Sequence, residues 1–117
     1  MLRIRPEQLA VLSQVEMRKF EDWTLAHLQR FFPRQCARAG EPQLRKWVRH
    51  GVRRASIYGI TAKKDVCKYI DVMMVLGPDF DADPKFPWAP GILAGSGSPD
   101  ARMRALLQAA QNHLKQT

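Results

Sequence analysis

The histidines and cysteines, His27, His50, His113, Cys36 and Cys67, are the side chains best suited to ligate zinc or to pair as nucleophile and base. Zinc sites announce themselves by short spacings, Cys-x-x-Cys or paired histidines one helical turn apart, because ligands must converge on one point. None of the five has such a neighbour in sequence. The three histidines are therefore expected to be ordinary helix-surface or boundary residues, and neither a metal nor a cofactor is expected. A cysteine nucleophile needs a thiolate beside a base, whereas Cys67 lies in an apolar helical run where burial keeps a thiol protonated and inert. A Cys–His pair would form only by tertiary approach. With no Gly-x-Ser-x-Gly, P-loop or Gly-x-Gly-x-x-Gly pattern either, no catalytic residue is identified, and the reading is of a protein that is not an enzyme.

Asp79, Asp81 and Asp83 alternate as at the start of a calcium loop. Such a loop also needs glycine at its sixth position and glutamate at its twelfth, and here those places hold Pro84 and Pro90. Aspartate and proline are turn formers in their own right, so a structural turn is expected.

The strongest surface feature is basic. Arg45, Lys46, Arg49, His50, Arg53 and Arg54 crowd one segment with no acidic residue among them, and like charges at i, i+4 repel. Something anionic must offset them: carboxylates elsewhere in the fold, or a partner. Residues 1–64 hold 14 Lys+Arg and 5 Asp+Glu, a balance of +9; residues 65–117 hold 5 and 6, a balance of −1. The whole excess of +8 thus lies in the first half, which suits an acidic partner surface or nucleic acid. Asp65 and Asp71 interrupt the most apolar segment, and each is expected to pair with an arginine inside the fold, because a buried carboxylate needs a cation or donors.

These residues must be positioned by helices. At 117 residues, 45% apolar and 26% charged, the chain has ordinary globular composition and is long enough for one hydrophobic core. A first helix is expected from Pro6 to Phe32, closed by Pro33, with Leu9, Leu12, Glu16, Phe20, Trp23, His27 and Phe31 along its apolar stripe and Val15, Leu28 and Phe32 widening it. A short piece follows at Arg34 to Ala39. The next helix runs from Glu41-Pro42 to Tyr58, buries Leu44, Trp47, Val48, Val52 and Ala55, and stops at Gly59. Thr61 is expected to cap a helix over 62–76 that is apolar on nearly every side and belongs in the interior. Residues 77–97 read as a Pro/Gly-rich loop with one helical turn near Pro87 to Leu93. Ser98 and Pro99 open the last helix, which buries Met103, Leu106, Leu107, Ala110 and Leu114. The expectation is an all-α, single-domain helical bundle, 1–117, of about four main helices around a buried central helix (62–76). No repeat, leader or spanning segment is expected. Cys36 and Cys67 read as reduced thiols of a cytoplasmic protein, although a single bridge stays open.

A helix-turn-helix over Arg49 to Tyr69 fails on its second helix, which is apolar where a recognition helix must be polar and carries Asp65 and Asp71 where phosphates would repel them. Non-specific backbone binding through the basic helix remains an alternative.

The strings Arg49-His50-Gly51-Val52, Tyr58-Gly59-Ile60, Asp65-Val66-Cys67-Lys68-Tyr69-Ile70-Asp71, Gly77-Pro78-Asp79-Phe80-Asp81 and Pro87-Trp88-Ala89, with His27 to Pro33, resemble a family of small bacterial proteins. Its members are encoded beside effectors, spike-tip proteins and effector chaperones of type VI secretion systems. The resemblance implies an adaptor or co-chaperone that helps load an effector through an effector-specific chaperone or through the effector itself, and it brings no catalytic residues. Arg45, Arg49 and Arg53 are the expected partner contacts, with Phe80, Phe86 and Trp88 as aromatic anchors; the competing role for these aromatics is to cap the protein's own core. A basic nucleic-acid-binding module and an immunity protein for a secreted toxin are the alternative functions.

Overall fold

A serine decides where the first helix begins. The computed structural model describes residues 13–116, and the Ser13 hydroxyl accepts the Glu16 amide at 3.2 Å, the side-chain bond of an N-cap. Helix α1 is therefore Gln14–Phe31 rather than a helix running on from Pro6; residues 6–12 of that expectation lie outside the described residues. The Ser-x-x-Glu spacing is itself a start signal. There follow α2 (Pro33–Ala39), α3 (Glu41–Ile57), α4 (Lys63–Leu76), a 3-10 turn (Phe80–Ala82), α5 (Trp88–Leu93) and α6 (Pro99–Gln116). The described residues are thus mostly helical and contain no strand.

Boundaries follow local chemistry. Gly59, at φ +74°, takes the left-handed turn after α3 that other residues resist. Ser98 accepts the Ala101 amide at 3.2 Å and starts α6 as expected. At α4 the expected cap moves by one residue: Ala62, not Thr61, is the N-cap, and it makes no side-chain bond. Asp65 in the first turn sets negative charge at the positive end of the dipole instead.

α4 buries Val66, Tyr69, Ile70, Val72, Met73 and Met74, packing against α3 and α6 and touching α1. α3 contributes Leu44, Val48, Val52 and Ala55 as its pattern predicts, with Trp47 half-buried. α6 contributes Met103, Leu106 and Ala110. A fully buried Leu or Ile contributes about 1.5–3 kcal/mol, and an exposed ion pair at most about 1 kcal/mol. The apolar contact of α3, α4 and α6 therefore holds the helices together, and the charges refine it. The molecule measures 41 × 37 × 20 Å, and its short dimension is about two helix diameters.

α1 corrects the sequence reading. Of the expected stripe it buries Phe20 and Leu28, but it adds Glu21, Thr24 and Leu25 and leaves Trp23 and Phe31 exposed. The buried face is thus turned by one residue, about 100°, from the line of Trp23, His27 and Phe31. The cause is Glu21, which points inward because two arginines meet it there. No described helix is long and apolar enough to cross a membrane, and Cys36 and Cys67 are both buried, unbridged thiols.

Candidate functional site

The basic face of α3 is largely neutralised from within. Glu21, 3% exposed, accepts Arg45 Nη1 at 3.0 Å, Arg49 Nε at 2.7 Å and Arg49 Nη2 at 3.3 Å. Arg45 also reaches Asp22 at 2.7 Å and Glu41 at 3.5 Å. Burial alone would raise the Glu21 pKa, but the hydrogen bonds from Arg49 and Arg45 outweigh it and hold the carboxyl below its ordinary range. The hydrogen bonds that Arg45 donates to Asp22 and then to Glu21 raise its own pKa.

One turn on, Arg54 Nε meets Asp81 Oδ2 at 3.1 Å, its Nη2 lies on the same oxygen, and Tyr58 Oη donates to it at 2.8 Å. His50 Nε2 lies 3.0 Å from Asp79 Oδ1 and 3.1 Å from the Pro78 carbonyl. The Asp83 side chain accepts the Lys85 amide at 2.9 Å. The three alternating aspartates thus turn to three different partners, as a structural turn does, and converge on no common point.

Of the expected partner contacts, Arg45 and Arg49 are tied to carboxylates of the fold. Arg53 is exposed, and like Lys46 it has no acidic partner among the described residues. Phe80 and Phe86, at 1% and 6% exposed, are part of the core, the competing role for these aromatics. Phe80 packs against Tyr69 at a tilt, 5.1 Å between ring centroids, and Phe86 meets His113 edge-on at 5.0 Å. Trp88 is half-buried against the same core. Their loop folds back on the body because Asp81 and Asp79 anchor it to α3. Neither internal aspartate of α4 finds an arginine. Asp71 takes His27 instead, and Asp65 is buried with its Oδ1 unpartnered.

The exposed aromatics lie on α1. Trp23 is 52% and Phe31 59% exposed, and with His27 between them they form a line of rings, 6.5 Å from Trp23 to His27 and 4.9 Å from His27 to Phe31. Arg30 sits over Phe31 at 5.4 Å, and Lys19, Lys63 and Lys64, with Glu16 3.8 Å from Lys19, line the hollow beside Trp23. The i, i+4, i+8 spacing was legible; its orientation was not, because nothing in sequence said that Glu21 points in.

Beneath that line His27 Nε2 meets both Asp71 oxygens, at 2.8 and 3.1 Å. The Cys67 thiol completes a group whose ligand atoms all lie within 4.8 Å of one another. Tertiary approach thus brings together residues that spacing left apart. Burial and the Asp71 charge push the Cys67 thiol up to about 12, so it is no ready nucleophile. Burial raises the Asp71 carboxyl, and the His27 hydrogen bond only partly offsets this. The pair opens on a cleft of ≈ 400 Å³ walled by Phe31, Phe32, Val72, Val75 and Leu107. No family model, no curated protein and no solved structure matches the chain.

Proposed function

We propose that this chain is a non-enzymatic, protein-binding accessory factor, an adaptor or co-chaperone that helps load a type VI secretion effector by binding the effector or its chaperone. Its docking surface is the Trp23–His27–Phe31 strip, with α1, α3 and α6 arranged around α4 as a rigid support. The observation that carries the reading is the exposure of Trp23 and Phe31, each more than half open to solvent on one line. Leaving two large aromatics in water forfeits burial that folding would otherwise gain, and exposed aromatics flanked by cations suit a partner with an apolar ridge and acidic flanks. Arg30, Lys19, Lys63 and Lys64 supply those cations. The secretion context rests on the sequence resemblance alone.

The test is affinity purification of the tagged chain from nuclease-treated lysate of a bacterium with an active type VI system. Recovery of an effector or effector chaperone by the native chain, and its loss with Trp23→Ala/Phe31→Ala, is the expected result. Both positions are exposed, so the variant should keep its helical circular dichroism. Equal recovery by both chains would remove the strip from the reading. The unpaired Lys46 and Arg53 favour one rival, non-specific nucleic-acid binding, for which affinity would fall steeply with salt and survive loss of the aromatics.

A further inference from the structure

We propose that His27, Cys67 and Asp71 form a zinc site with one coordination position open to the neighbouring cleft. Cys67 and Asp71 are i, i+4 on α4 and so share a face of that helix, and α1 brings His27 against them. The ligand atoms, one each of nitrogen, sulfur and oxygen, lie within 4.8 Å of one another. Tetrahedral zinc with bonds of about 2.0–2.3 Å sets neighbouring donors roughly 3.3–3.7 Å apart. Reaching that geometry asks the widest edge to close by about 1 Å and the 2.8 Å His27–Asp71 contact to open by about half as much, both within reach of small side-chain torsions.

Charge and softness choose the ion. A thiolate and a carboxylate carry −2 with a neutral imidazole, which cancels a divalent cation in a place where an uncompensated charge is costly. Calcium and magnesium take all-oxygen shells, whereas a mixed sulfur, nitrogen and oxygen set suits zinc. Binding displaces the thiol proton to solvent and leaves the sulfur bonded to the metal.

A His27–Asp71 ion pair would account for those two residues alone. It leaves out the third potential ligand: Cys67 shares the helix face of Asp71, and its sulfur lies within 4.8 Å of the ligand atoms of both partners. His27 and Asp71 are each about a quarter exposed, at 26% and 25%, so an ion can reach the site from the cleft they line. Three protein ligands with a fourth position facing a cavity is the arrangement that lets zinc hold water or an anionic ligand group. Cys36, the other buried thiol, belongs to no such group among the described residues. The inference does not depend on what docks at Trp23 and Phe31.

The test uses the purified full chain, stripped with a chelator and titrated with zinc against a competing chromophore, then with cobalt. The expected result is one zinc per chain, with the tetrahedral ligand-field and thiolate charge-transfer bands of cobalt present in the native chain and in Cys36→Ser. Those bands should vanish in Cys67→Ser, and zinc affinity should fall by more than about 100-fold in Cys67→Ser and in His27→Gln, beyond the loss that outer-shell partners cause. Failure to bind zinc stoichiometrically, or a cobalt spectrum of the native chain without the thiolate band, would overturn the site. Neither of those two readings needs a variant to fold. Equal zinc affinity in a Cys67→Ser chain that remains helical would overturn it as well.

Discussion

The Arg49 guanidinium grips the buried Glu21 carboxylate along two bonds, Nε to Oε2 at 2.7 Å and Nη2 to Oε1 at 3.3 Å. Arg45 holds the same carboxylate from the next turn. Removing both cations leaves a buried charge with nothing to balance it, whereas removing the carboxylate leaves arginines that can reach water. Thermal unfolding should therefore show Arg45→Ala/Arg49→Ala to be more damaging than Glu21→Gln, which loses about 1.5–3 kcal/mol of charge-assisted hydrogen bonding. Arg53→Ala should leave the midpoint unchanged. A double variant no worse than Glu21→Gln would show that the carboxylate finds water. Charge reversal at Arg45 and Arg49 consequently probes folding before it probes any partner.

The same pair sets an acid sensitivity. The folded Glu21 pKa lies below its ordinary 4.5, so the folded state binds fewer protons than the unfolded chain at mildly acidic pH. Its contribution is fully present above about 4.5 and drains away as pH falls through the folded value. Asp71 works in the opposite sense: its folded pKa is raised by burial above 3.8, so its contribution is present below that value and is lost as pH rises through the folded one. Urea midpoints measured from pH 6 to 3 should fall for the native chain and fall less steeply for Glu21→Gln. Parallel curves would mean that other carboxylates carry the acid limb.

Helix α3 approaches α4 closely because position 51 has no side chain. A Cβ built on Gly51 would lie 2.6 Å from Ile70 Cγ1 and 2.9 Å from Met73 Sδ. Alanine gains about 1 kcal/mol of helix propensity over glycine, while overpacking a well-filled contact costs about 1–3 kcal/mol. Gly51→Ala should lose up to about 2 kcal/mol net, and Gly51→Val more, by chemical denaturation. A stabilised Gly51→Ala would show that Ile70 and Met73 yield without strain.

Helix type and most of the core were legible because they follow from period. Leu44, Val48, Val52 and Ala55 repeat at helical spacing, and Val66 to Leu76 is apolar enough to read as interior. What period does not carry is direction. Trp23, His27 and Phe31 repeat as regularly as any core stripe, yet the buried face includes Glu21, since a charge can be interior once two arginines from a helix some twenty residues away meet it. The loop aromatics were ambiguous for the same reason: whether Phe80 faces in depends on Asp81 finding Arg54. The i, i+4 spacing of Cys67 and Asp71 was there to be read, but the approach of His27 to them has no local signal, because it comes from a helix forty residues away. Arg102, an unremarked side chain in sequence, binds the carbonyls of Tyr58, Leu93 and Gly97 and so joins the ends of two helices to the start of a third.

Asp81 is the pin that holds the 77–87 loop to α3. It is 3% exposed and accepts Arg54 and the Tyr58 hydroxyl on one oxygen, while its other oxygen is buried without a partner. Removing the carboxylate frees Arg54, whose side chain is about a third exposed and can reach water, so the loss is that of charge-assisted hydrogen bonds, about 1.5–3 kcal/mol. Removing only the Tyr58 hydroxyl leaves the ion pair intact and loses one hydrogen bond, about 1 kcal/mol. Asp81→Ala should therefore be about twice as destabilising as Tyr58→Phe, and hydrogen exchange should quicken at Phe80, Ala82 and Phe86, whose amides bond within the loop. The two variants should not add, because Tyr58 and Arg54 share one acceptor. Additive losses would mean that the hydroxyl is held by something other than Asp81, and the loop would then have a second anchor.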